Sequence, residues 1–237
     1  TLNATVRVIL GTPVGGTGTL NVRNATVMLG GFGFTISNAR GQINYDNATL
    51  RARVNTTNAS AGTAAQNNIA VGGLTIDTNG FTVLAPVGFS GVGGLTKTGD
   101  GIFSFGGAGN SYTGETAIQQ GTFRLSALAG SGNALASSSR VVDNATFDLS
   151  IVTDPNVHIQ SLAGSSAGVV TLGTKDLIIT NANDSFAGTI SGTGGVQLTG
   201  GTQAFSGMQA YSGATTITAG TLTLTGTGDI SASSQVI

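Results

Sequence analysis

The stretch "GGLTKTGDGIFSFGGAGNSYTGETAIQQGTFRL" (Gly93 to Leu125) combines short apolar words with many glycines and threonines. In "IFSF" and "TFRL" apolar residues alternate with polar ones, which is the period of a β-strand. Glycine between such words provides turns and tolerates positive φ. No window shows the longer apolar period of an amphipathic helix. The stretch therefore predicts short strands joined by tight corners.

The whole chain has an unusual composition. It contains 39 glycines in 237 residues, 39% hydrophobic residues and only 8% charged ones. A disordered chain would be rich in charge and poor in apolar residues, so this chain can bury a core. A net charge of −1 argues against nucleic-acid binding, which needs a basic surface. The absence of cysteine excludes disulfides and thiolate metal sites, and no apolar run is long enough for a membrane-spanning helix.

An internal repeat is the strongest feature of the sequence. "YTGETAIQQGTFRL" (Tyr112 to Leu125) aligns without gaps on "YSGATTITAGTLTL" (Tyr211 to Leu224), 99 positions later. The words before it, "GGLTK" and "GGVQL", also correspond, as do the words after it, "ALASSSRVV" and "DISASSQVI". Self-similarity of this kind predicts a repeat architecture.

An all-β parallel β-helix fits these observations. One coil cannot bury its own apolar face, but stacked neighbours bury it for each other. At about 20–25 residues a coil, the chain would make about ten coils, and strands about 4.8 Å apart give a rod on the order of 50 Å long. An antiparallel sandwich or barrel is the structural alternative, because regular short strands also occur there.

The boundaries expected along the chain follow the repeat. Residues 1–237 are interpreted as one β-helix segment of a longer polypeptide. Within it we expect divergent N-terminal coils over 1–66, a first repeat region over 67–142 and a second over 143–237. The alignment also predicts that Phe123 and Leu222 occupy equivalent inward positions, as do Leu125 and Leu224, with Arg124 and Thr223 pointing outward.

The repeated words closely resemble the autotransporter-associated β-strand repeat, or passenger-associated transport repeat, of autotransporter passenger domains. The resemblance covers roughly residues 67 to 237. In the first copy it rests on Gly93, Gly94, Leu95, Lys97, Gly99, Gly101, Asn110, Tyr112, Gly114, Thr116, Gly121 and Thr122. In the second copy it rests on Gly194, Gly195, Tyr211, Gly213, Thr215, Gly220 and Thr221. The second copy departs from the pattern at Leu198, where lysine is expected, and at Gln209, where asparagine is expected.

The resemblance implies a right-handed β-helix displayed outside a Gram-negative cell, with an outer-membrane barrel elsewhere in the full-length chain. It also implies that the repeat supports secretion and folding and carries neither catalytic residues nor a cofactor. We therefore interpret the following residues as structural: Gly93, Gly94, Leu95, Tyr112, Gly114, Gly121, Phe123, Leu125, Gly194, Gly195, Tyr211, Gly213, Gly220, Leu222 and Leu224.

Carboxylates are candidate catalytic groups because many β-helices are polysaccharide lyases or hydrolases. Such chemistry needs paired carboxyls or a calcium cluster. Asp143, Asp148 and Asp154 form the only local group of acids, and Glu115 is the only glutamate. Asp143 and Asp148 differ by an odd number, so on one straight strand they would face opposite sides. The only histidine, His158, has no nucleophile motif beside it.

The function expected from the sequence is therefore non-enzymatic, extracellular and structural or adhesive. The expected partners are other copies of the chain or neighbouring cell-surface polymers. One alternative is a subunit of an extracellular filament, because an open β edge can template another chain. A second alternative is a polysaccharide lyase or hydrolase. Five of the seven arginines (Arg7, Arg23, Arg40, Arg51 and Arg53) lie near the N-terminus, where a solvated strand face is favoured over a polyanion site.

Overall fold

A computed structural model describes residues 2–4, 8–10, 18–36, 41–106 and 109–237. Arg7 and Arg40 of the N-terminal arginine group lie outside these residues. The described chain is built from short strands, and its only helices are two single turns of 3-10 helix, Ala64–Gln66 and Ser131–Asn133. The prediction of an all-β protein is therefore confirmed.

The described strands number 26 and are labelled in chain order. They are β1 (Leu2–Ala4), β2 (Val8–Leu10), β3 (Gly18–Leu29), β4 (Phe34–Ile36), β5 (Gly41–Ala52), β6 (Asn67–Ile69), β7 (Leu74–Asp77), β8 (Thr82–Ala85), β9 (Ser90–Gly91), β10 (Leu95–Thr98), β11 (Ile102–Phe105), β12 (Thr116–Ile118) and β13 (Thr122–Leu125). The second half contains β14 (Val141–Asp143), β15 (Thr146–Asp148), β16 (Asn156–Ile159), β17 (Leu162–Ala163), β18 (Val169–Gly173), β19 (Asp176–Ile179), β20 (Ser185–Phe186), β21 (Thr189–Gly192), β22 (Val196–Leu198), β23 (Thr202–Phe205), β24 (Ala210–Tyr211), β25 (Thr215–Ile217) and β26 (Thr221–Leu224).

The paired strands are parallel and belong to successive coils. One sheet runs β1-β3-β5-β7-β10-β12-β14-β17, and a second runs β8-β11-β13-β15-β18-β21-β24. Two shorter sheets, β16-β19-β22-β25 and β20-β23-β26, complete the C-terminal half. The register advances by 19 residues where Val196 pairs with Thr215 and by 26 where Ala48 pairs with Leu74. The molecule is therefore a parallel β-solenoid of about ten turns, as predicted.

Inward side chains stack into apolar ladders along the axis. In the second sheet, one ladder runs from Val83 through Phe103, Phe123 and Phe147 to Val170. All five side chains are fully buried, and the rings of Phe103 and Phe123 meet edge to face with centroids 5.3 Å apart. Edge-to-face packing is a favoured geometry for aromatic pairs. Each coil thus completes the core of its neighbours.

The C-terminal end of this packing differs from the prediction made from the repeat. Leu125 is fully buried, whereas Leu224 is 45% exposed and Leu222 is only partly buried. Leu224 pairs with Phe205 of the preceding coil, but no described strand pairs with the other side of β26. The expectation that Leu224 is buried like Leu125 is therefore wrong here, because burial in a solenoid needs neighbours on both sides.

Candidate functional site

The centre of the first repeat is a buried chain of hydroxyl groups. The Tyr112 hydroxyl lies 2.6 Å from Thr116 Oγ1, which lies 2.8 Å from Ser138 Oγ. Ser138 in turn donates to the carbonyl oxygens of Gly114 and Arg140 at 2.9 and 3.1 Å. Tyr112 and Thr116 lie on one coil, and Ser138 lies on the next. We call Tyr112, Thr116 and Ser138, with their counterparts in the second repeat, the Tyr–Thr–Ser corner.

The second repeat builds the same arrangement. The Tyr211 hydroxyl lies 2.7 Å from Thr215 Oγ1, which donates to Ser233 Oγ at 2.9 Å. Ser233 donates to the carbonyl oxygens of Gly213 and Gln235 at 2.9 and 3.0 Å. Burial raises the pKa of Tyr112 and of Tyr211 above the ordinary value, so both hydroxyls stay neutral donors. The tyrosines therefore serve as internal hydrogen-bonding ties.

The repeat glycines let successive corners approach closely. A Cβ on Gly114 would lie 2.4 Å from the backbone nitrogen of Gly94, and a Cβ on Gly213 would lie 2.5 Å from that of Gly195. Gly121 and Gly220 adopt φ of 67° and 92°, a region that side chains other than glycine rarely enter. The glycine pattern is thus explained by close backbone contact and turn geometry.

A carboxamide two residues before each tyrosine reaches the preceding coil. Asn110 Oδ1 accepts the Phe89 amide at 2.7 Å, and Gln209 Oε1 accepts the Ile190 amide at 2.8 Å. Gln209, which departs from the family pattern in sequence, therefore makes the same kind of bond as Asn110. Each corner consequently connects three successive coils. The carboxamide bonds to the preceding coil, the tyrosine and threonine lie on the central coil, and the serine lies on the following coil.

Lys97 marks a real difference between the two copies. Its side chain is fully buried, and Nζ donates to the carbonyl oxygens of Thr98, Gly99 and Gln120 at 3.0, 2.6 and 2.9 Å. Burial lowers the Lys97 pKa to about 8, against the opposing effect of Asp77. Leu198 fills the aligned position and is 3% exposed. Both side chains fill the coil interior, one by capping carbonyls and one by apolar contact.

The two corners do not lie on the same side of the rod. Thr116 belongs to the long sheet that continues through Val141 and Leu162. The C-terminal end of this sheet connects to β20 through a bridge between Gly164 and Phe186. The stack of strands that contains Thr116 thus continues through β20 and β23 to β26, whereas Thr215 lies in β25 of a different sheet. Along the chain, the second corner therefore comes one strand before five full turns are complete. As a result, it lies on a different face of the rod from the first corner.

The three candidate catalytic aspartates each serve the fold. Asp143 ends β14 and Asp148 ends β15, so the alternation expected on one strand does not apply. Asp148 forms an ion pair with Arg124 at 2.7 Å and accepts the Ser150 hydroxyl. Burial works to raise the Asp148 pKa, but these hydrogen bonds outweigh it and lower the pKa. Asp154 accepts the Gly132 amide at 2.9 Å.

The other titratable candidates are also apart from one another. Glu115 forms an ion pair with Arg140 at 2.6 Å, and hydrogen bonding to Glu115 raises the Arg140 pKa. His158 occupies a partly exposed position on β16, between the buried Val157 and Ile159. No group of three or more potential metal ligands occurs among the described residues. No helix in the described ranges is long and apolar enough to cross a membrane.

An asparagine ladder lines a groove on the N-terminal coils. Asn44 Nδ2 donates to Asn21 Oδ1 at 2.8 Å, and Asn68 Nδ2 donates to Asn44 Oδ1 at 3.4 Å. The groove has a volume of about 470 Å³ and is also lined by Arg23 and Asp46, which form an ion pair at 2.7 Å. The groove thus presents amide donors and acceptors along the axis and a balanced ion pair, next to the apolar Val22 and Ala70.

Sequence reasoning identified neither the serines of the corners nor the members of the asparagine ladder. Ser138 and Ser233 were not singled out, although the aligned segments "ASSSRVV" and "SASSQVI" place a serine at the same position after each copy of the repeat. Outward asparagine ladders are expected of a β-helix, but Asn21, Asn44 and Asn68 could not be named as one, because they become neighbours only through coil register. The arginines of the same coils form local pairs, Arg23 with Asp46 and Arg51 with Asp77 at 3.2 Å.

One known family matches the two regions of the chain that contain the tyrosine and threonine of each corner. The family model for the passenger-associated-transport-repeat matches residues 95–125 and 191–224. Both matched ranges contain the tyrosine and threonine of a corner and stop before its serine. Neither the curated proteins nor the solved structures yield a significant match to this chain.

Proposed function

We propose that this chain, which carries two passenger-associated-transport-repeats in a β-solenoid, is a non-enzymatic segment of an autotransporter passenger displayed on a Gram-negative cell surface. The observation that carries the proposal is the twice-built Tyr–Thr–Ser corner, whose tyrosine and threonine lie within the matched family repeats. Both tyrosines and both threonines of the corners are buried, and each serine bonds to backbone carbonyl oxygens. The repeat therefore acts inside the rod, by fixing the stacking of three coils.

The different orientation of the two corners supports this internal role. A surface protein that docked along a row of repeats would need them on one face. Here the second copy lies on another sheet, while its buried hydrogen bonds are unchanged. Selection for an internal tie tolerates such rotation, whereas selection for a shared external docking surface does not.

The scattered acidic groups support a non-enzymatic role. Asp148, Asp154 and Glu115 are bonded to Arg124, the Gly132 amide and Arg140, respectively. A glycosidase needs two carboxyls facing one substrate position. Incubation with a panel of acidic polysaccharides tests this part of the proposal. New reducing or unsaturated ends, in a preparation free of contaminating enzymes, would contradict it.

For adhesion we propose self-association, with the asparagine ladder as the contact surface. Amide groups at Asn21, Asn44 and Asn68 can pair with the amides of a second copy, and the Arg23–Asp46 pair leaves no net charge to repel it. Each good hydrogen bond across the contact adds a modest free energy, so several must act together. The repeated spacing of the ladder provides that multiplicity.

A mixed-population settling assay tests self-association. Cells displaying the protein are mixed with cells that do not, and only the displaying cells are expected to settle together. Combined Asn21→Ala, Asn44→Ala and Asn68→Ala substitution should abolish settling, while Gln197→Ala, which removes an exposed amide that bonds Thr218 near the other end of the rod, should not. Equal settling of both populations, or full settling by the triple variant at equal display, would contradict the proposal.

A further inference from the structure

Asp143 is a buried carboxyl that takes no part in the corners. It ends β14, pairs with Ile118 of β12 and is fully buried. Its Oδ1 accepts the Ala145 amide at 3.1 Å, whereas its Oδ2 is buried without any hydrogen-bond partner. A buried ionised carboxylate without a partner is costly, so the neutral form is favoured.

The packing around Asp143 leaves little room to relieve this cost. A Cβ on Gly164 or Gly168 would lie 2.0 or 2.3 Å from the Asp143 carbonyl oxygen, and both positions face the ring of Phe186. The backbone of the next coil thus passes directly against this residue. Any expansion that admitted solvent to Oδ2 would separate β14 from its neighbours.

The charged groups on the elements packed around β14 are engaged with other partners. They are Glu115 and Asp184, both paired with Arg140, Asp148 paired with Arg124, and Lys97 bound to three carbonyls one coil beyond Ile118. His158 of β16 lies at a partly exposed position. Among the described residues, then, no cation forms an ion pair with Asp143.

We propose that Asp143 is a proton-dependent joint in the rod. When protonated, it allows the coils that contain β12, β14 and β17 to stack closely. When ionised, it loosens them, so that this part of the solenoid opens more often at neutral and alkaline pH than in mild acid. The inference concerns the stacking of the coils and does not depend on the proposed adhesive function.

The electrostatic surroundings of the carboxyl agree with this geometry. Burial raises the Asp143 pKa to about 7, while the nearby backbone amides of Ala145 and Val169 act in the opposite direction. The folded chain therefore holds a proton that the unfolded chain releases near pH 4. Stability contributed by this proton is present in acid and is lost as pH rises toward about 7, above which the dependence levels off.

Hydrogen exchange as a function of pH tests the joint. After correction for intrinsic exchange rates, the opening constant of amides in β12, β14 and β17 should rise by up to about tenfold per pH unit between about pH 5 and 7. Asp143→Asn keeps the size and the Ala145 contact but cannot ionise, so its opening constants should be independent of pH in this range. The same pH slope in Asp143→Asn as in the unmodified chain would overturn the proposal.

A second measurement keeps the test decisive if Asp143→Asn does not fold. The carbon-13 shift of the Asp143 carboxyl in the unmodified protein should titrate near neutral pH, and that of Asp148 well below it. A midpoint for Asp143 below pH 5 would overturn the proposal.

Discussion

Thr116 and Thr215 perform the same task in the two repeats while lying in different sheets of the solenoid. Each shares one hydrogen bond with a buried tyrosine and one with a serine on the following coil. The corner is thus a local module that works on any face of the coil. Its contribution should be measurable at each copy separately, because coils in a solenoid contact only their neighbours.

Removing the tyrosine hydroxyl should weaken the corner locally. Tyr112→Phe or Tyr211→Phe deletes one end of the hydroxyl chain and should lower the free energy of local unfolding by about 1 kcal/mol. Tyr45→Phe is the matched control, because the buried Tyr45 hydroxyl has no hydrogen-bond partner, and this change should be neutral or stabilising. Residue-resolved hydrogen exchange provides the measurement. Equal losses in Tyr112→Phe and Tyr45→Phe would mean that the space filled by the hydroxyl, and not its hydrogen bond, accounts for the effect.

Adding a methyl group at the corner glycines should destabilise the stacked coils. Gly114→Ala and Gly213→Ala would place a Cβ within 2.5 Å of the preceding backbone, and overpacking of this kind typically costs about 1–3 kcal/mol. Gly31→Ala is the control, since its Cβ would meet its nearest atom at 3.7 Å, and it should change stability by less than about 0.5 kcal/mol. Thermal and denaturant unfolding of the three variants compares them. Similar stability of all three would contradict the close-contact explanation.

Truncation of aligned apolar residues should give unequal losses. Phe123→Ala should cost about 3–5 kcal/mol, because it removes a fully buried ring from the central ladder. Leu224→Ala should cost less than about 1 kcal/mol, because that side chain is 45% exposed. Hydrogen exchange should show that damage from Phe123→Ala is concentrated in the coils around β11, β13 and β15. Uniform loss of protection along the chain would indicate one global core and contradict the solenoid behaviour.

The outward residues of the two copies should also differ. Arg124 bonds to Asp148, whose side chain is only 11% exposed, so Arg124→Ala leaves a largely buried carboxylate without its cation, with hydrogen bonds from Ser150 alone, and should cost about 1–3 kcal/mol. Thr223→Ala should cost no more than about 0.5 kcal/mol. Of these two aligned outward residues, only Thr223 is therefore expected to tolerate alanine. Equal denaturation midpoints for the two variants would show that the ion pair contributes little.

The same ion pair predicts an acid-dependent loss of stability. Hydrogen bonds to Ser150 and Arg124 outweigh burial and lower the Asp148 pKa, so this stabilisation is present above about pH 4 and is lost as pH falls through the folded value. Asp148→Asn should remove this acid dependence and lower stability at neutral pH. Denaturant midpoints from pH 2 to 7 make the comparison. An unchanged acid slope in Asp148→Asn would assign the dependence to other carboxyls.

Part of the candidate site could be predicted from sequence because its signals are local. Tyr112, Gly114 and Gly121 and their counterparts recur at one offset, and their bonds lie within a corner or between adjacent coils. Gln209 could not be recognised as equivalent to Asn110, since the two differ in length and each accepts from a backbone amide on another coil, Ile190 and Phe89 respectively. The burial of Asp143 could not be predicted either, because it depends on glycines more than 20 residues later.

Alternation of apolar and polar residues, dense glycine and the repeated words determined that the chain forms short strands, tight corners and stacked coils. These properties depend on a few consecutive residues and on contacts between similar neighbours. Which face each corner occupies was decided only by the tertiary structure. Coil lengths between 19 and 26 residues add up along the chain, and their sum rotates the second corner away from the first. The same accumulation sets which side chains meet between coils, including the asparagine ladder and the buried surroundings of Asp143.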